Sequence, residues 1–379
     1  MRGALIAGTN GKGSTAAMLA AILRRGGHVV GTMPSPHLGS YTERIQVDGT
    51  PISEREFAAA VEQLRPRLEA LPAGLGPPTE FEILTTVAIS HLSRRCDRLV
   101  IEVGMGGRLD ATNVLDFGLG VITNVALDHQ QYLGQTIARI AAEKAGIIKR
   151  GNLVITGADG EALNVVESAA TAADAKLWRL GDELRMETRW RGWEGSEIDL
   201  QGPGFDNRNL RVPLLGSHQA ANAALAVAAA YALGQAPDGL AEARWPGRLE
   251  LVADDPPVLL DGGHNPAALA RLAEDVPRLA EGRPVTVVFG MMADKDIPAA
   301  LAQLRRLRPA AVVFTAAQSS RAARPEDLAS AWGGGEVVLA APAAAARGVE
   351  LAGRGGLVLV CGSLYVVGEV RPGLVGGRR

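Results

Sequence analysis

The run Ala4-Leu5-Ile6-Ala7-Gly8-Thr9-Asn10-Gly11-Lys12-Gly13-Ser14-Thr15 leaves this chain few ways to begin folding. Its apolar start reads as a buried strand, its three glycines as a tight turn, and the apolar-periodic Ala16 to Leu23 as a helix. Glycines let backbone amides approach phosphate oxygens, the helix start adds partial positive charge, and Lys12 adds a full one. Ser14 and Thr15 put hydroxyls where a nucleotide's Mg²⁺ would sit. The spacing departs from the common phosphate-loop pattern, because Ile6 stands five residues before Gly11 and Gly13 separates Lys12 from Ser14. A plain glycine-rich turn with a solvated lysine is the alternative. The lysine and two hydroxyls beside the glycines favour a phosphate-binding loop.

With 379 residues, 47% hydrophobic and 21% charged, the chain can build two α/β domains. A net charge of −2 provides no overall field for nucleic acid or acidic membranes, so neither is expected as a partner. Cys96 and Cys361 fit no metal or redox spacing, and neither a membrane span nor a signal peptide is apparent, which points to the cytoplasm.

His28 to Thr32 reads as a second strand, running into Met33-Pro34-Ser35-Pro36-His37-Leu38, where two prolines forbid a regular helix. Ser53 with Glu56, and Thr79 with Glu82, suit capping boxes at helix starts. Leu99-Val100-Ile101-Glu102-Val103 places a carboxylate in an apolar strand, where it is costly unless paired, so Glu102 is a candidate metal ligand. Such a residue falls at the carboxyl end of a strand, where ligands of open α/β sheets collect. His129 follows the next strand, Leu119 to Val125. In the expected helix Thr136 to Ile148, Lys144 by itself reads as a solvated lysine. Leu177 to Pro213 reads as a hairpin-rich excursion without legible function, and His218, for which a helix cap is the plain alternative, is left unassigned. Trp245-Pro246-Gly247-Arg248 marks a boundary between residues 1–244 and 245–379. Strands at Val258–Leu260, Val285–Phe289, Ala311–Phe314 and Leu357–Val360 alternate with helices and predict a second, mostly parallel sheet.

Gly8-Thr9-Asn10-Gly11-Lys12-Gly13-Ser14-Thr15 resembles the nucleotide loop of the folylpolyglutamate synthase/dihydrofolate synthase family, a branch of the Mur ligase superfamily. Glu102 through Asn113 and the Asp128-His129…Leu133-Gly134 pattern are similar to further signatures of that family. The resemblance implies a P-loop ATPase domain over 1–244 and a smaller Rossmann-like glutamate-ligase domain over 245–379. It implies ATP held by Thr9, Asn10, Gly11, Lys12, Gly13, Ser14, Thr15, Asn222, Arg248 and Asp261, and Mg²⁺ held by Ser14, Ser35, Glu102 and His129. Phe81, Asp110 and Ala111 would face a pterin, Lys144 would be carbamylated, and His264 would reach the cleft between the domains. Lys12, Lys144 and His264 would then be the catalytic residues. Family members carry a helical segment before the first strand that helps wall the pterin pocket. Here Met1-Arg2-Gly3 alone precede it, so either the start is mis-assigned or shortened, or that wall is missing.

The expected activity is an ATP-dependent ligation of L-glutamate to dihydropteroate, reduced folates or both, through an acyl phosphate, by a monomer. A cell-wall Mur ligase is disfavoured by Gly13 and the Glu102–Asn113 signature. A P-loop switch is disfavoured by Arg248, Asp261 and His264, because a switch needs no second catalytic domain.

Overall fold

The computed structural model describes residues 2–72, 74 and 76–375. They form two compact units. One comprises the chain through Arg189 with Glu197–Pro213 and Gln219–Arg244, and the other Trp190–Ser196, Leu214–His218 and the residues from Trp245 onward.

The first unit opens with β1 (Arg2–Ala7), α1 (Lys12–Arg25), β2 (Val30–Met33), β3 (Gln46–Val47) and β4 (Thr50–Pro51). It continues through α2 (Glu54–Glu69), α3 (Glu80–Leu92), β5 (Arg98–Glu102), β6 (Leu119–Ile122), α4 (Gln130–Leu133) and α5 (Ile137–Ala145). Then follow β7 (Leu153–Thr156), α6 (Gly160–Ala172), β8 (Lys176–Arg179), β9 (Arg185–Trp190), β10 (Ser196–Gly202), β11 (Phe205–Val212) and α7 (Gln219–Ala232). The large sheet has the order β4-β3-β2-β5-β1-β6-β7-β8, parallel from β2 to β8. The phosphate-loop strand β1 is therefore flanked by β5 and β6, and their carboxyl ends converge on the loop. Leu99, Ile101 and Ile122 are fully buried in this unit's core, each worth about 1.5–3 kcal/mol on burial.

Both capping boxes form, Ser53 with Glu56 before α2 and Thr79 with Glu82 before α3. The second strand begins two residues later than the sequence suggests, at Val30, because His28 and Val29 are partly exposed in the turn from α1. The helix expected over Thr136–Ile148 is shorter, with Thr136 as its cap, its side chain accepting from the Arg139 amide. Alanine-rich α7 is buried nearly all round and packs against α1. Small side chains allow that close approach.

The second unit contains β12 (Glu250–Asp254), β13 (Pro257–Leu260), α8 (Pro266–Ala280), β14 (Val285–Phe289), α9 (Ile297–Arg305) and β15 (Ala311–Ala316). It ends with α10 (Pro325–Trp332), β16 (Glu336–Ala340), α11 (Ala341–Ala352), β17 (Leu357–Cys361) and α12 (Leu364–Val375). Its sheet runs β12-β13-β17-β14-β15-β16, parallel except for the antiparallel pair β12–β13. Leu177–Pro213 holds a separate three-stranded sheet ordered β11-β10-β9. Trp190 and Trp193 belong to the second unit and pack on its core, and the Arg278 guanidinium lies 4.4 Å over the Trp190 ring. No helix among the described residues is long and apolar enough to cross a membrane.

Candidate functional site

The loop after β1 is shaped by two glycines. Gly8 has φ +148°, and a methyl group there would lie 1.8 Å from Thr123 Oγ1. Gly11, at the N-cap of α1 with φ +83°, would bring one 2.3 Å from Asn222 Oδ1. No side chain caps α1, and Arg24 and Arg25 close its last turn, so the helix keeps amides at its start for an anion. The turn is braced from the end of β6. Thr9 donates its amide to the Asn124 carbonyl at 2.9 Å, and Asn124 accepts from the Asn10 amide and donates back to the Asn10 carbonyl, each at 3.0 Å. Thr123 Oγ1 donates to the same carbonyl at 2.6 Å. Neither Thr123 nor Asn124 was picked out by sequence reasoning; their position just past a buried strand beside the loop was the available signal.

Behind the loop two lysines meet. Lys12 Nζ donates to the carbonyls of Gly8 and Thr9 at 3.2 and 3.4 Å, and lies 4.0 Å from Glu102 Oε1. Lys144 Nζ donates to the Gly8 carbonyl at 3.0 Å. Read from its neighbours alone, Lys144 should be solvated; it is instead 3% exposed, a correction with a visible cause. It stands at the seventh position after Ile137 on the stripe Ile137, Ile140, Ala141, the face α5 turns inward. Burial first, and then the Lys12 charge, lower the Lys144 amine to about 7, while Asp128 pulls the other way.

Glu102, at the end of β5, is 4% exposed and accepts the Ser35 amide at 3.1 Å. Ser35 Oγ accepts from Arg44 Nη1 at 3.0 Å, and Arg44 Nε donates to His37 Nδ1 at 3.0 Å. On α7, Gln219 Nε2 donates to Ser14 Oγ at 3.3 Å, and Gln219 accepts from Asn222 Nδ2 at 2.9 Å. Gln219 was likewise missed, for it reaches the site across 205 residues, and Arg44, only nine residues from Ser35, was given no role. The Thr15 hydroxyl is buried without a hydrogen-bond partner. Among the described residues no three His, Cys, Asp or Glu side chains gather as a metal cage. The local donors are thus a carboxylate and hydroxyls, the hard oxygens that suit Mg²⁺ completed by phosphates and water. His129 is exposed at the N-cap of α4 with φ +50°, its Nε2 3.9 Å from Asp128 Oδ1.

Phe81 packs its ring on Gly104, where an added methyl would lie 2.5 Å away. Asp110 accepts from the amides of Met105 and Thr112 at 2.9 and 3.0 Å and so folds the loop that carries Ala111.

In the second unit, Asp261 accepts from the amides of Leu249 and Gly263 at 2.8 and 2.7 Å, which pins Leu249 at φ +46°. Burial pushes its carboxyl up, against the pull of Arg248. Arg248 lies over Gly262 and donates to the Gly247 carbonyl at 3.1 Å. His264 donates from Nδ1 to the Gly262 carbonyl at 2.9 Å. His218, left unassigned from sequence, has Nδ1 3.7 Å from Asp275 Oδ2, whose carboxylate takes the Ser217 amide.

Residues 6–230 match the Mur ligase middle domain, and residues 247–364 the Mur ligase, glutamate ligase domain. The dihydrofolate synthase/folylpolyglutamate synthase of Bacillus subtilis (strain 168) is 36% identical over 388 residues, which is 97% of this chain and 89% of the relative. Escherichia coli FolC in complex with DHPP and ADP has a TM-score of 0.91 at 32% identity, covering 100% of this chain and 89% of that one. The bifunctional folylpolyglutamate synthase/dihydrofolate synthase of Yersinia pestis, complexed with AMPPNP and Mn ion, has a TM-score of 0.87 at 32% identity, covering 98% and 88%.

Proposed function

This chain belongs to the Mur ligase family, in its dihydrofolate synthase/folylpolyglutamate synthase branch, and from that premise we propose an ATP-dependent ligase that adds L-glutamate to dihydropteroate, to reduced folates, or to both. The observation that carries this reading is the loop itself: two lysines on one carbonyl and a buried Glu102 beside Lys12, at the N-terminus of α1. The nucleotide and manganese of the solved relatives support it.

A carboxylate is a poor electrophile, so amide formation first needs a better leaving group. A substrate carboxylate oxygen attacks the γ-phosphorus of ATP, and ADP departs with the bond's electrons. The glutamate amine then attacks the resulting acyl phosphate, loses a proton, and inorganic phosphate leaves. In the first step Lys12 turns from its loop carbonyls to the phosphates, and the amides of the loop hold their oxygens. Ser14, Ser35 and Glu102 would hold Mg²⁺, with His129 as a further ligand; the cation would supply charge neutralisation at the phosphates. Asn222 serves the adenine, Arg248 and Asp261 the nucleotide, and His264 the ligation. Phe81, Asp110 and Ala111 serve the pterin.

A buried amine lowered to about 7 is uncharged in about half the molecules at neutral pH, and the uncharged form is the one that adds to CO₂. This supports Lys144 carbamylation: the uncharged amine nitrogen bonds to the carbon of CO₂, one proton leaves that nitrogen, and a neutral amine becomes a carboxylate. The enzyme is expected to act as a monomer in the cytoplasm. ADP release measured with glutamate plus dihydropteroate, tetrahydrofolate or a UDP-muramyl substrate tests the assignment. Turnover with a pterin acid is expected. Turnover with the muramyl substrate alone would overturn it.

A further inference from the structure

Arg44 is 8% exposed, and none of the roles above uses it. It ends the short 3₁₀ turn Tyr41–Arg44, and the next residue, Ile45, is fully buried in the core. Its guanidinium reaches back across nine residues to Ser35 Oγ and, with a second nitrogen, to His37 Nδ1, each at 3.0 Å. Taking an arginine out of water is expensive unless its donors are used.

Loop folding does not account for that expense. Glu43 already gathers the segment, accepting from the amides of Leu38, Gly39 and Ser40 at 2.8, 3.0 and 3.0 Å. A capping box between Ser40 and Glu43 fixes the turn as well. What Arg44 adds includes a hold on one hydroxyl, beside its bond to the His37 ring. A serine oxygen has two acceptor sites and one proton. With one site filled by Nη1, the oxygen is held toward Arg44 and keeps one acceptor site, on a residue whose amide is already bound to Glu102.

We propose that Arg44 is a positioning residue of the nucleotide–cation site, fixing the Ser35 hydroxyl as an oxygen ligand for the divalent cation. This rests on the reading of Ser35 and Glu102 as cation ligands. Arginine suits the task because two fixed donors can grip Ser35 and His37 at once, which a lysine cannot reproduce.

The test is Mn²⁺ binding to the full chain in the presence of a non-hydrolysable ATP analogue, followed by electron paramagnetic resonance. The proteins compared are the parent, Ser35→Ala, Arg44→Lys, Arg44→Met and the Ser35→Ala/Arg44→Met pair. Removing a residue that orients a ligand typically weakens metal binding about 10–100-fold, and that loss is expected for both Arg44 variants. Analogue binding without metal should not change. In the Ser35→Ala background, Arg44→Met should cost no further affinity, since neighbours acting through one atom are not additive. Unchanged Mn²⁺ affinity in the Arg44 variants, or an equal loss with and without the Ser35 hydroxyl, overturns the positioning role while leaving Ser35 as a ligand. Unchanged affinity in Ser35→Ala removes the underlying reading as well. Arg44→Lys keeps the charge and serves as the readout if Arg44→Met fails to fold.

Discussion

Lys12 and Lys144 share an acceptor: their amines donate to the Gly8 carbonyl oxygen at 3.2 and 3.0 Å, from positions 132 residues apart in the chain. Two cations on one oxygen repel each other, which is part of why the Lys144 amine is lowered. The arrangement is relieved if Lys12 turns to phosphate or if Lys144 becomes a carbamate.

Lys12→Ala tests the first relief. Loss of one preorganised charge contact typically raises the barrier by about 3 kcal/mol, roughly a hundredfold or more in rate. Glutamate-dependent ADP release is expected to fall by at least that factor while the circular dichroism spectrum stays unchanged. Turnover within a few-fold of the parent would be inconsistent with the mechanism.

Carbamylation of Lys144 tests the second. In neutral ¹³C-bicarbonate the parent is expected to show a carbamate carbon resonance that Lys144→Arg lacks. Acidification should erase it, because protonated amine does not add CO₂. A parent spectrum identical to that of the variant would refute the modification.

The lowered amine also bears on stability in CO₂-free buffer. The ordinary value is 10.5 and the folded value about 7. Between those limits the unfolded chain binds a proton that the folded one does not, so stability rises with pH from 7 to 10.5. The penalty is full below pH 7, still on the order of 4 kcal/mol at pH 7, and gone above 10.5. Denaturant melts of the parent and Lys144→Met should therefore converge as pH is raised from 7 towards 10, the variant being the more stable at pH 7. Parallel curves would contradict the lowered value.

Gly8→Ala tests the loop's construction. The added methyl would lie 1.8 Å from Thr123 Oγ1 at a φ of +148°, and Thr123 is itself bound to the Asn10 carbonyl. A loss of about 2–4 kcal/mol in unfolding free energy is expected, with weaker ADP binding by calorimetry. Full stability with parent-like ADP affinity would show that the turn tolerates a side chain.

Much of the fold was readable because local pattern and tertiary role agree. Ala4 to Leu23 is a strand, a turn and a helix by its own residues, and both capping boxes follow from the spacing of Ser53 with Glu56 and Thr79 with Glu82. The site was less legible, because its support arrives from far away in sequence. Gln219 reaches Ser14 across 205 residues and Asn124 grips Asn10 across 114. No window contains both partners. Lys144 illustrates the opposite case: its burial was written in the stripe from Ile137, but a lysine in a helix invites a solvent-facing reading. The tryptophans at 190 and 193 were opaque for a third reason, since they belong to the second unit and serve its core, although the sequence around them does not.

The most direct measurement is ADP released by the purified chain given ATP, Mg²⁺ and a pterin acid, with and without L-glutamate, alongside the mass of the pterin product. ADP formation that depends on glutamate, with product heavier by one glutamyl residue, is the predicted result. ADP formation indifferent to glutamate, or none at all with dihydropteroate and tetrahydrofolate alike, would contradict it.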